Sequence, residues 1–377
     1  MRLSRLGTGG RGKTDKTSSP LIYPDSFEYK TGFNAVRTRI SELCTSSAGR
    51  AEVAAMAFIT DFAAISGALG AVDEMTRATS ADSGFSLGAV PDFGESLARA
   101  KAEGAFLPAD EFLLISKSLA TASEVSRFLA GGDEGDDEEA GGDSHYPYLG
   151  AQASILDPLP QLARDIDRVI DQYGNVRDNA SPALAGIRSE LSRISGTANA
   201  ILRRVMARAV EEGLLEADAA PSVRDGRLVI PVAPGLKRKI KGIVHDESAS
   251  GKTVFIEPAE VVEANNRIRE LEGDERREII RILTEFSNIL RPSIPEILQS
   301  YEFLAEIDFI RAKSYFAIQT NSLKPAVENE QLLDWMMAVH PLLQLSLAKH
   351  GKKVVPLDIE LDQKQRILII SGPNAGE

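Results

Sequence analysis

The chain of 377 residues holds a single cysteine, Cys44. That excludes an internal disulfide and any multi-cysteine metal site, and it fits a reducing compartment, so a cytoplasmic location is expected. Aromatic residues are scarce at 6%, while Ala, Leu, Glu and Arg dominate, which points to a mainly α class. No apolar run reaches the length of a membrane span, so no membrane partner is expected. Met1 to Pro20 is basic and rich in Gly and Ser, yet it lacks the apolar core of a secretory signal. The net charge of −12 argues against a chain coated in affinity for nucleic acid, but it leaves room for a local basic surface. The hydrophobic fraction of 43% and the charged fraction of 26% are ordinary for a globular protein, and the length suggests roughly two or three domains.

What is present is a pair of long helical patterns around residues 181–290. Ser181 is a good N-cap and Pro182 occupies the first helical position, where its missing N–H costs nothing. Leu184, Ile187, Leu191, Ile194, Ala198, Ile201 and Val205 then alternate by three and four, the seam spacing of a coiled coil. A returning pattern follows Pro258, with Val261, Ala264, Ile268 and Leu271, and resumes at Ile279, Ile282, Phe286 and Ile289. Pro292 and Pro295 are expected to stop it. Each arm would be about 50 Å long at about 1.5 Å per residue. Two seams joined by a compact turn bury each other most simply as an antiparallel pair.

Between the arms the character changes. Arg227 to Val232 is an apolar β-like run in which Pro231 suggests an edge position. Lys239 to His245 alternates in strand fashion, and Thr253 to Ile256 reads as a third strand, joined through the turn-rich Asp246 to Gly251 as a hairpin. From Ser222 to Glu257 the basic residues are Arg224, Arg227, Lys237, Arg238, Lys239, Lys241 and Lys252, against Asp225, Asp246, Glu247 and Glu257. The tip is therefore +3 inside a −12 chain. Lys and Arg contacts to phosphate give sequence-independent, salt-sensitive binding, and these seven are the candidate nucleic-acid contacts; a merely solvated β tip is the alternative. His245 has no catalytic partner nearby in sequence and reads as structural or surface. Ser250 to Thr253 is half a phosphate-loop pattern whose first glycine is missing, since Asp246 stands there.

Elsewhere the patterns carry little chemistry. Gly7 to Thr14 matches the P-loop pattern, but neither a buried strand before it nor a helix after it is present, so it reads as a chance match. Phe27, Phe33, Val36, Ile40 and Leu43 carry helical spacing, Ala51 to Met75 is rich in helix formers, and Asp110 to Phe128 is an amphipathic helix with Asp110 as its expected cap. Residues 131–143 are dense in carboxylates without the spacing of a calcium loop, and read as a solvated acidic loop. Tyr148 to Tyr173 suggests another helix pair, and Glu296 to Gln319 further helix. From Pro325 the chain resembles the opening of an α/β domain. A buried strand is expected over Ile367 to Ile370, leading into Ser371, Gly372, Pro373, Asn374, Ala375 and Gly376, a Gly-rich turn of the kind that precedes a phosphate loop. No metal-ligating or catalytic set is assigned.

These residues carry a resemblance. Ile367 to Gly376, preceded by His340-Pro-Leu-Leu343, is similar to the start of the ATPase domain of the MutS family. Asp225 to Val232, Gly242 to Pro258 and Val261 to Asn266 resemble the clamp of that family's second bacterial branch, and Tyr23 to Phe27 its usual start. The likeness covers about Leu21 to Gly376. It implies a helical core at 21–180, a lever helix out at 181–220, a β clamp at 221–257, a lever helix back at 258–291, a core return at 292–322 and the start of a P-loop ATPase domain at 323–377; the tail at 1–20, read as disordered from its composition, has no counterpart in the family pattern. The branch lacks the mismatch-reading N-terminal domain and is associated with suppressing recombination rather than with mismatch repair.

The resemblance further implies a homodimer, ATP with Mg²⁺ as cofactor, ATP-gated binding to branched or looped DNA and, for some members, action on stalled ribosomes or a C-terminal nuclease domain. Partial nucleotide-loop contacts would be Ser371 to Gly376. The family continues with glycine where Glu377 stands, and the loop's lysine and hydroxyl, the acid that assists them and the nuclease domain are not in the sequence. A truncated chain that binds no nucleotide and does not hydrolyse ATP is the expectation. The competing expectation is a non-enzymatic coiled-coil scaffold with a protein-binding tip. A third, an NTPase working through Gly12, Lys13 and Thr14, needs the context that residues 1–20 lack.

Overall fold

The computed structural model describes residues 25–79, 85–131 and 145–369. The tail 1–20 with its P-loop match, residues 132–143 of the acidic stretch and Ser371 to Gly376 lie outside the described residues. The fold is mainly α with small antiparallel sheets. The chain divides into two compact units, one of residues 1–94, 114–163 and 295–377, the other of 95–113 and 164–294.

The first unit carries α1 (Phe27–Lys30), α2 (Phe33–Leu43), α3 (Ser47–Ala55) and α4 (Phe62–Ala78). Ser46 Oγ accepts from Gly49 N and Asp61 Oδ1 from Ala64 N, so α3 and α4 start on side-chain caps. Next in the chain come the short helix α5 (Gly94–Ala100), of the second unit but for Gly94, and α6 (Ala109–Leu129), which belongs to the first unit from Leu114 on. Asp110 does not cap α6. It lies inside the first turn, where a carboxylate still favours the positive end of the helix dipole. After α7 (Pro147–Ala153) and α8 (Pro160–Val169), the core of this unit gathers Met75 and Ala78 of α4, Val125 and Leu129 of α6, Leu149 of α7, and Leu304 and Ile307 of the late helix α11 (Ile294–Gln319).

A buried carboxylate ties α11 to α3. Asp308, at 0% exposure, accepts from Ser46 N at 2.8 Å, Ser46 Oγ at 2.7 Å, Thr45 N at 3.2 Å, Thr45 Oγ1 at 3.1 Å and Arg311 Nη2 at 2.8 Å.

The second unit is built on α9 (Pro182–Glu211) and α10 (Val262–Leu290), which pack on each other. Ser181 Oγ accepts from Leu184 N and donates to Glu278 Oε1 at 2.6 Å, so one hydroxyl caps α9 and reaches α10. At about 1.5 Å per residue α9 is about 45 Å long. Between Leu271 and Ile279 the apolar seam lapses, and an ion pair bridges it, Arg188 to Glu275 at 2.7 Å; Arg267 bonds Glu190 at 2.9 Å about two turns nearer the sheet along α10.

The helix runs unbroken through Gly273, and one expectation about its seam changes. Ile289, expected in the seam, is 64% exposed, whereas Leu283 and Leu290 are buried. Here α10 faces a second neighbour, residues 95–113, through the Phe286 and Phe112 rings at 5.2 Å and a Leu107 N to Ser287 Oγ bond at 2.9 Å. Its apolar face therefore turns away from the two-helix seam. As expected, the helix ends before the prolines, at Leu290: Pro292 sits in a 3₁₀ turn, Arg291–Ser293, and Pro295 in the first turn of α11, where no N–H is needed.

Joining α9 to α10 is a four-stranded sheet of β1 (Ser222–Arg224), β2 (Arg227–Val232), β3 (Gly242–Glu247) and β4 (Val254–Pro258), in the order β1-β2-β4-β3 and antiparallel throughout. Pro231 is thus in an interior strand and not an edge strand. It is tolerated because β1 pairs only with Arg227 to Val229, leaving the Ile230 to Val232 half of β2 bonded on one side.

After α11 come β5 (Leu333–Ala338), α12 (Pro341–Ala348) and β6 (Leu357–Leu361), with β5 and β6 paired antiparallel. The buried strand expected from Ile367 is not found. Ile367 is 84% exposed and Ile369 83%, and neither lies in a strand. An apolar run becomes a strand only where neighbours pair with it and cover its faces, and the described residues offer none.

Candidate nucleic-acid interface

The sheet of the second unit is laid down by its turns. Asp225 and Gly226 join β1 to β2 with φ of 47° and 73°, the left-handed pair of a type I′ hairpin turn, whose twist matches the flanking strands. Gly242 opens β3 against β4 so closely that a Cβ there would lie 2.2 Å from the Glu257 carbonyl oxygen. The β3–β4 turn closes through Ser248 N to Thr253 O at 2.8 Å and Thr253 N to Ser248 Oγ at 3.0 Å. The inner face, Ile230, Val232, Val254 and Ile256, buries against Ala198, Leu202, Val205 and Met206 of α9 and Ile268 of α10. The sheet is thereby fixed to the end of the helix pair by an apolar core.

One ion is buried in this sheet. Glu257 on β4 has 0% exposure. Its Oε1 accepts from Arg227 Nη1 at 2.7 Å and Asn265 Nδ2 at 2.8 Å, and its Oε2 lies 2.5 Å from His245 Nε2. Asn265, on the first turns of α10, also bonds the Leu228 N–H and carbonyl, at 3.3 and 3.1 Å. Arg227 Nη2 reaches Asn266 Oδ1 at 2.9 Å. Burial pushes the Glu257 carboxyl up, but the bonds from Asn265, His245 and Arg227 outweigh it and hold it below the usual carboxylate range.

That network sorts the seven cations. Arg227 is committed to Glu257 and Asn266. Arg224 lies over the Phe255 ring, 4.1 Å from its centroid, with Asp246 at 3.7 Å. Lys237 has Glu247 at 3.7 Å. Arg238, Lys239, Lys241 and Lys252 are exposed and form no ion pair among the described residues. Lys237 to Lys239 lie in a turn after the 3₁₀ segment Pro234–Leu236, and β3 begins only at Gly242, so the strand expected from Lys239 starts three residues later. Arg238 and Lys239 are exposed on this turn and so are open to phosphate contact. Phe255, the only Phe, Tyr or Trp of the sheet strands, is 8% exposed and covered by Arg224, so it offers no stacking platform for a base.

Sequence reasoning missed β1, Glu257 and Asn265 as participants. A lone glutamate closing the apolar run Val254-Phe-Ile256 was the available signal, since a carboxylate in a buried strand needs partners. Among the described residues no group of three or more His, Cys, Asp or Glu is placed to hold a metal ion, and no helix is long and apolar enough to cross a membrane. The nucleotide-loop candidates Ser371 to Gly376 lie outside the described residues.

No family model matches the chain. Individual proteins do. The chain is 33% identical over 344 residues to the endonuclease MutS2 of Geobacillus sp. (strain WCH70), which covers 91% of this chain and 42% of that protein. It is 31% identical over 348 residues to the endonuclease MutS2 of Symbiobacterium thermophilum, covering 91% and 41%. With the endonuclease MutS2 of Carboxydothermus hydrogenoformans it is 39% identical over 238 residues, 61% of this chain and 29% of that protein. The chain spans about two-fifths of the length of the first of these relatives. An alignment of nine-tenths of the chain leaves out only stretches near its ends, so α9, α10 and the sheet between them fall within it. The chain belongs to the MutS family, in its second bacterial branch.

Proposed function

We propose that the β1–β4 sheet is a nucleic-acid clamp carried on α9 and α10 as a lever, and that it holds the phosphate backbone of branched or looped DNA. The observation that carries this reading is the set of four exposed cations without ion pairs, Arg238, Lys239, Lys241 and Lys252, on a sheet whose other cations are tied to carboxylates. Phosphate contacts of this kind bind without reading sequence, as a protein that recognises branched structure requires. Arg227, held by the buried Glu257, shapes the clamp rather than contacting DNA directly, while Arg224 and Lys237, beside exposed carboxylates at 3.7 Å, are secondary contacts.

In this reading the whole protein is a cytoplasmic homodimer whose grip on DNA is gated by ATP and Mg²⁺ bound at a loop that includes Ser371 to Gly376, and it suppresses recombination. The relatives are named as endonucleases, and this part of the chain would hold DNA for such an enzyme. Stalled ribosomes, whose surface is also phosphate, are the other substrate class. The test is binding of the purified chain to a fluorescent four-way DNA junction. Changing Arg238, Lys239, Lys241 and Lys252 together to Gln should abolish binding while leaving the melting temperature in place. Unchanged binding would end the reading.

A scaffold with a protein-binding tip has its own supporting observation, the exposed Val223, Ile243 and Val244 on the sheet. It differs in expecting no dependence on those four charges.

A further inference from the structure

The four-stranded sheet has two edges of unlike character. β1 is three residues long, and a short edge is a poor template. β3 is six residues long and bonded on one side only, by β4. Neighbouring side chains of a strand point to opposite faces, and on β3 both are open: Ile243 is 48% exposed and Val244 47%. His245 turns inward to Glu257 and does not obstruct the edge. The charges are sorted by end, with Lys239 and Lys241 leading into the strand and Asp246 and Glu247 closing it.

We propose that the β3 edge pairs antiparallel with the β3 edge of a second copy of this chain, about a two-fold axis at Val244. Such pairing is isologous, so every contact occurs twice. It sets Lys241 of one copy opposite Glu247 of the other, with Ile243 and Val244 at the centre. A parallel arrangement would instead set lysine beside lysine and carboxylate beside carboxylate. The pairs that Asp246 and Glu247 make within the chain, to Arg224 and Lys237, are exposed and 3.7 Å long, and yield at little cost. The bulge between Val244 and Asp246 limits the paired run, so the contact is small and transient. It does not rest on the nucleic-acid reading, since it needs no DNA.

Disulfide trapping of the full chain without nucleic acid tests it. Residues facing each other at a strand pair bring their Cβ atoms to about 4.5–5.5 Å, near enough to bridge with small adjustment. Cys44 stays silent in the assay, being buried with its thiol pushed up to about 11 by burial. Val244→Cys should form covalent dimer at least tenfold faster than Val223→Cys on the opposite edge. Adding Lys241→Glu should slow that reaction, and adding Glu247→Lys as well should restore it. Equal rates at the two edges, or a rate that ignores the charge exchange, overturns the proposal.

Discussion

His245 Nε2 lies 2.5 Å from Glu257 Oε2, and that carboxylate is wholly shielded from solvent. Removing an ion from water costs several kcal/mol, so a charged group survives inside only when its partners are in place. Glu257 has three, drawn from β2, β3 and α10. The contact therefore makes Glu257 the residue that locks three elements of the tip together, and it turns Arg227 from a free cation into a structural one.

Glu257→Ala should destabilise the chain by about 3 kcal/mol, because it leaves the mostly buried Arg227 guanidinium without its counter-ion. Chemical denaturation monitored by circular dichroism measures this. The pH dependence has a definite sign. The folded carboxyl is held below its unfolded value, so its contribution is present above about pH 4.5 and is lost as pH falls through the lowered folded value. The stability gap between the natural chain and Glu257→Gln should accordingly narrow on acidification from pH 6 to pH 3. A constant gap would contradict the assignment.

Asp308 makes the matching prediction for the other unit. It receives five hydrogen bonds at 0% exposure. Burial pushes its carboxyl up, but the Ser46, Arg311 and Thr45 bonds prevail and hold it below the usual range. Asp308→Ala strands the buried Ser46 and Arg311 donors, and at about 1–3 kcal/mol for each buried donor left unsatisfied the loss should exceed that of an ordinary surface change several-fold. A melting temperature within a degree of the natural chain would contradict it.

The corrected face of α10 gives a paired test. Leu290→Ala should cost about 2–5 kcal/mol, as for a buried leucine, while Ile289→Ala next to it should cost less than about 0.5 kcal/mol. Comparable losses from the two, read from the same denaturation curves, would restore the original seam.

These tests also mark what was legible in the sequence. The mainly α class follows from composition, and the start of α9 was readable at Ser181 and Pro182 because capping is chemistry between residues three apart. The β3–β4 hairpin was readable from its turn residues for the same reason. β1 was not, since three residues carry no period, although Asp225-Gly226 was a hairpin signal left unused. Ile289 went astray because a helix seam shows one partner, whereas this end of α10 meets two. At the candidate interface the seven cations were legible as residues. Their division into tied and free was not, because Arg227 finds its counter-ion 30 residues away at Glu257.

Salt dependence of DNA binding tests the central claim most directly. Four cations each neutralising one phosphate give a slope of about −3.5 in log K against log salt, or roughly a hundredfold loss between 50 and 200 mM. The account predicts that slope for the natural chain on a four-way junction, shallower by about 0.9 for each of Arg238, Lys239, Lys241 and Lys252 changed to Gln, and changed less by Lys237→Gln, whose charge is partly offset by Glu247. A slope near zero, or one that ignores those four residues, would contradict it.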